Sequence, residues 1–83
     1  MLKVEFFVEL KQVAGQVLRE MRKEKGLSQE ELGFECGFHR TYISLIERGE
    51  NNPSIKAIFQ IATSLGVKPS DIISKIETRW AQR

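Results

Sequence analysis

The chain has 83 residues, 41% of them hydrophobic and 29% charged, and a formal net charge of +2. That is one globular domain near the lower size at which a core holds without staples, and its single cysteine, Cys36, excludes an internal disulfide framework and fits a reducing, cytoplasmic setting. No apolar run approaches the ~20 residues needed to span a bilayer. The apolar opening MLKVEFFVEL is interrupted by Glu5 and Glu9 and has no small-residue cleavage site after it, so it does not read as a signal peptide.

In chain order the apolar spacing predicts five helices and no strand. Leu10, Val13, Ala14, Val17, Leu18 and Met21 recur at three and four, which gives a helix over about 8–24. Residues 4–8 are the closest approach to alternation. Gly26 stops the first helix, and LSQEEL starts the second: Ser28 is placed to cap, Glu31 completes a capping box, and Leu27 can staple onto Leu32. This helix covers about 28–36 and ends at Gly37. The third, about 39–48, buries Ile43 and Ile46 and ends at Gly49. After the turn ENNPS, Ser54 caps a fourth helix, about 54–65, closed by Gly66. Pro69 suits the first turn of the fifth, about 69–80, with Ile72, Ile73, Ile76 and Trp80 on one side. The expected fold class is a compact all-α bundle forming one domain over 1–83.

Charge does not single out a partner. Residues 15–50 carry six basic and seven acidic side chains, whereas residues 51–83 carry five and two. Placement is more informative. Helices 28–36 and 39–48, joined by a turn centred on Gly37, have the spacing of a helix-turn-helix, in which the second helix lies in the DNA major groove. Gly33 then faces the next helix where a larger side chain would hold the two apart, and Gly37 can take the left-handed conformation that redirects the chain. Ile43 and Ile46 anchor the third helix and leave Arg40, Thr41, Ser44 and Leu45 on outward positions.

The run GLSQEELGFECGFHRTYISLIERGENNPSIKAIFQIATSLGVKPSDII resembles the Cro/C1-type (XRE) helix-turn-helix family, with Gln29, Leu32, Gly37, Ile43, Ser44, Ile46, Glu47, Gly49 and Pro53 in register. Within it, HRTYISLIERGENNPS is similar to the controller proteins of restriction–modification systems. The resemblance implies a five-helix λ-repressor-like bundle and a transcriptional regulator, repressor or activator, that binds double-stranded DNA as a homodimer on a pseudo-palindromic operator. Base contacts fall to Arg40, Thr41, Ser44 and Leu45: a guanidinium can bond guanine bidentately, and Leu45 suits a thymine methyl. Phosphate contacts fall to Gln29, His39, Tyr42, Arg48, Asn51 and Asn52. Tyr42 has the alternative of being a packed aromatic. Arg22 and Glu47 resemble the family's structural ion pair.

The stripe Ile72, Ile73, Ile76 and Trp80 is wider than one small domain needs and is the expected dimer interface; closing the core is its other reading. Glu30, Glu31 and Glu35 form an acidic surface that is a candidate RNA polymerase contact, although complementing the helix dipole accounts equally for Glu30 and Glu31. Phe34 stands at an exposed position, packed by the amino-terminal arm or serving as an interface. Cys36 and His39 make a C-x-x-H pair, too few ligands to close a zinc site, so no metal is expected and Cys36 reads as a small buried hydrophobe. No acid completes a catalytic dyad and no Gly-rich phosphate loop occurs, so neither an enzyme nor a cofactor is expected. Two alternatives stay open: the antitoxin of a toxin–antitoxin pair, and a protein-interaction module that kept the fold.

Overall fold

A computed structural model describes residues 3–83, with side chains from residue 9 onward. It contains α1 (Lys3–Glu24), α2 (Gln29–Cys36), α3 (Arg40–Glu47), α4 (Ile55–Leu65) and α5 (Pro69–Gln82), and no strand among the described residues. The predicted helices are all present. α1 starts five residues earlier than its apolar spacing predicts, so the weakly alternating stretch 4–8 is helical. A lone extended segment would have no neighbouring strand for its backbone groups, which a helix satisfies internally.

The helix ends follow from local chemistry. Ser28 Oγ accepts the Glu31 N–H at 3.0 Å while the Glu31 carboxylate accepts the Ser28 N–H at 2.8 Å, a reciprocal capping box. That backbone hydrogen bond holds the Glu31 carboxyl below its ordinary range, with desolvation opposing only in part. The cap is therefore intact above the usual carboxylate range and fails as pH falls through the depressed value. Ser54 Oγ accepts the Ala57 N–H at 3.0 Å to start α4. At the start of α5 the Asp71 carboxylate accepts the Lys68 N–H at 3.0 Å, ahead of Pro69 in the first turn.

All five helices meet at one core. Leu18, Leu32, Ile43, Ile46, Ile61 and Ile72 have essentially no exposure, and each contributes about 1.5–3 kcal/mol by leaving water. α5 packs on both α1 and α4. With two neighbours it buries a wide stripe, and this corrects the expected dimer surface: Ile72 (0% exposed) and Ile76 (8%) are core residues. Trp80 is half-buried against the same core, and the Arg83 guanidinium lies 3.2 Å over its ring. Ile73, at 48%, stays exposed. On the α1–α5 seam Arg79 forks onto Glu20, with Nη2 to Oε1 at 2.7 Å, and holds the Glu20 carboxyl below its usual range. This pair is solvent-exposed and adds little stability.

A charged pair penetrates the core. Arg22 of α1 donates from Nε to Glu47 Oε2 at 2.7 Å and from Nη2 to Glu47 Oε1 at 2.9 Å. Its Nη1 donates to the Leu27 carbonyl at 2.7 Å, and Gln29 Nε2 adds a bond to Glu47 Oε1 at 3.1 Å. The Arg22 and Glu47 side chains are only 9% and 3% exposed. Breaking such a pair leaves an uncompensated buried charge. Urea denaturation of Arg22→Met is expected to give an unfolding free energy lower by about 3–5 kcal/mol, with Arg22→Met/Glu47→Met recovering part of the loss. A single-mutant cost near zero would mean that water screens the pair.

Candidate nucleic-acid interface

α2 and α3 are joined by Gly37, Phe38 and His39. Gly37 adopts φ +78°, and the Phe38 N–H donates to the Gly33 carbonyl at 2.8 Å, which closes α2 and turns the chain. A Cβ on Gly33 would stand 2.6 Å from the Phe38 carbonyl oxygen, so the turn lies directly on α2. From α4, Gln60 Nε2 donates to the Cys36 carbonyl at 3.0 Å and braces the same turn. Sequence reasoning missed this brace, because a lone glutamine beside an apolar stripe carries no recognisable spacing.

His39 starts α3 through its side chain: Nδ1 accepts the Thr41 N–H at 3.0 Å. An accepting Nδ1 carries no proton, so the neutral ring has its hydrogen on Nε2, where it can donate outward. Ile43 and Ile46 are buried with Glu47 on the inner side of α3. At 3.6 residues per turn, Thr41, Ser44, Leu45 and Arg48 fall on the opposite side, with Arg40 on its flank in the first turn. Arg40 and Thr41 are exposed, and Ser44 and Leu45 are half-buried. The four residues expected to read bases therefore share one accessible stretch of α3.

The expected phosphate contacts divide. Gln29 spends one amide hydrogen on Glu47, which leaves the other and its own backbone N–H at the start of α2. Tyr42 is half-buried, its ring centroid 4.8 Å from that of Phe38, as in the packed-aromatic alternative. Arg48 Nε pairs with Glu50 at 3.1 Å, an exposed contact. Asn51 and Asn52 are exposed beyond it. Of the acidic surface, Glu31 is committed to the capping box, whereas Glu30 and Glu35 flank Phe34, which is 89% exposed. The expected packing of Phe34 by the amino-terminal arm falls on side chains that lie outside the described residues.

Cys36 and His39 do not face a common site. Cys36 is buried with Sγ donating to the Leu32 carbonyl at 2.9 Å, and burial pushes its thiol pKa up, while His39 is exposed. No helix among the described residues is long and apolar enough to cross a membrane.

This geometry has relatives. Residues 18–72 match the helix-turn-helix family model. The control protein C.BamHI of Bacillus amyloliquefaciens is 52% identical over 60 residues, 71% of this chain and 74% of that protein. The control protein C.MunI of a Mycoplasma species is 41% identical over 64 residues, 76% and 86% of the two chains. The restriction–modification controller protein C.AhdI of Aeromonas hydrophila shares the fold with a TM-score of 0.72 at 44% identity, covering 75% of this chain and 94% of its own. With the α2–turn–α3 unit lying wholly inside the matched segment, the chain belongs to the Cro/C1-type helix-turn-helix family.

Proposed function

We propose that this protein is a cytoplasmic, homodimeric transcriptional regulator of the restriction–modification controller type, binding double-stranded DNA at a pseudo-palindromic operator. The observation that carries the reading is α3 itself: a short helix fixed by Ile43, Ile46 and Glu47, whose first turn projects Arg40 and Thr41. The similarity to control proteins supports the regulatory context. In this reading α3 enters the major groove. Arg40 pairs with a guanine through O6 and N7, and Thr41, Ser44 and Leu45 meet adjoining base edges. The starts of α2 and α3, with Gln29 and His39 Nε2–H, bind phosphates and fix the register.

A single eight-residue helix reads few base pairs, so specificity calls for a second copy. We place the two-fold contact on the apolar side chains that stay exposed outside α2: Ile55 (73%) and Phe59 (57%), one turn apart on α4, and Ile73 on the adjoining α5. A two-fold interface uses the same patch on both subunits, and occupancy of the operator then follows the protein's own concentration through the dimer equilibrium. The outer side of α2, with Glu30, Phe34 and Glu35, is the proposed contact for RNA polymerase.

Three experiments test this reading. Selection of duplexes from a random library at moderate salt should enrich a pseudo-palindrome with wild type. Arg40→Ala should relax one base pair per half-site at a cost of about 1–3 kcal/mol; a well-folded dimer that enriches nothing would end the DNA reading. Phe59→Glu should sediment as a folded monomer at concentrations where wild type is a dimer, and an unchanged mass would move the interface elsewhere. Glu30→Lys/Glu35→Lys should lower transcription in vitro at a promoter the protein still occupies. Unchanged transcription at equal occupancy would remove the polymerase contact.

A further inference from the structure

A glycine in the middle of an amphipathic helix weakens it relative to alanine and calls for a packing reason. Gly15 lies in the buried stripe of α1, between Ala14 and Val17. A Cβ built there would stand 2.3 Å from the Ile46 carbonyl oxygen and 2.9 Å from that of Glu47. Both atoms belong to the backbone at the end of α3, so no side chain can rotate out of the way. One turn earlier on α1, Gln12 meets the next glycine after α3: a Cβ on Gly49 would be 3.0 Å from Gln12 Cα, and Gly49 holds φ +75°. At the other end of α3, Gly33 places α2 directly on the turn that leads into it.

The recognition helix is thus clamped at both ends by backbone-to-backbone contact, and its far end rests on Gly15. We infer that Gly15 is a positioning residue for DNA recognition, one that sets the tilt of α3 and thereby where Arg40, Thr41, Ser44 and Leu45 meet the bases. The inference rests on the DNA-binding reading above. To accept a methyl group, the end of α3 must move by about 1 Å from α1. Over eight residues at 1.5 Å each, that rotates the helix by roughly 5°. Base recognition tolerates about 0.5 Å, whereas phosphate attraction depends on charge and is far less sensitive to the placement of one helix. The substitution therefore separates the two kinds of binding. The Arg22–Glu47 pair, two turns along α1, keeps the helices joined while the contact opens.

The test compares wild type, Gly15→Ala and Leu65→Val by titration of the selected operator and of an unrelated duplex in the same salt. Leu65 lies in the core at the far end of α4, so its truncation supplies a destabilised control remote from α3. All titrations are run at a temperature where circular dichroism finds each protein folded. If Gly15→Ala needs help to fold, trimethylamine oxide is added to every sample. Gly15→Ala is expected to lose about tenfold or more on the operator, the weight of one well-made base contact, and to stay within about threefold on the unrelated duplex. Leu65→Val should keep the wild-type ratio. An unchanged ratio for Gly15→Ala, or an equal loss in Leu65→Val, would overturn the inference. If wild type itself prefers no sequence, the DNA reading falls instead. Amide chemical shifts of residues 40–48 in Gly15→Ala then decide the geometry alone: displaced shifts support the clamp, and unmoved ones overturn it.

Discussion

The buried pair between Arg22 and Glu47 is the constraint around which the reading head is organised. It joins α1 to α3 across 25 residues of chain with two short hydrogen bonds. The third nitrogen of the guanidinium holds the Leu27 carbonyl just before α2, and Gln29 joins from the first turn of α2. Three helices therefore converge on two side chains. A hydrophobic pair of the same volume could give equal or greater stability. It could not fix direction in the same way, because a forked donor facing a forked acceptor admits one arrangement while apolar side chains admit several. The charged pair is best understood as a device for orientation, and what it orients is α3.

Much of this was legible in the sequence because it is written locally. Ser28 with Glu31, Ser54, Gly37 and Gly66 mark helix ends through interactions spanning only a few residues, and the structure puts each at a boundary. The apolar spacing likewise gave Ile43 and Ile46 to the core, and hence Thr41, Ser44 and Leu45 to the outside. Failures occurred where the answer depended on how many neighbours a helix has. The stripe Ile72, Ile73, Ile76 and Trp80 looked too wide for one domain only if α5 packs on a single partner. It packs on two, which takes Ile72 and Ile76 into the core, leaves Trp80 half-buried and keeps Ile73 exposed. Gln60 and Gly15 were invisible for a related reason: each acts on the backbone of a segment far away in sequence, and no local pattern reports a distant carbonyl.

The surface divides along the same lines. Isolated exposed apolar side chains are ordinary on a small protein. The pattern here is more selective. Ile55 and Phe59 share one flank of α4, while Phe34 lies alone among glutamates on α2. The first arrangement suits contact between identical patches, where apolar side chains meet their own copies. The second does not, since a two-fold contact through α2 would bring Glu30 and Glu35 against their symmetry mates. An acidic rim around an aromatic side chain instead favours a partner with basic residues and an apolar recess. The two surfaces thus differ in their electrostatics, which is what the proposal of one for self-association and one for a different protein rests on.

Charge also explains why rigidity matters so much in this molecule. Residues 15–50, which include α2 and α3, carry more acidic than basic side chains, so long-range attraction to a polyanion is weak. The positive contribution comes from particular places: Arg40 in the first turn of α3 and the exposed N–H groups at the starts of α2 and α3, where helix dipoles add partial positive charge. A strongly basic protein binds DNA in many registers and gains specificity as a small increment on a large attraction. A nearly neutral one has little attraction to spare, and most of its binding must come from contacts that form in one register only. Such contacts demand that the helix arrive at a fixed angle. In the proposed reading, the close contacts at Gly15, Gly33 and Gly49 and the buried Arg22–Glu47 pair are what hold that angle.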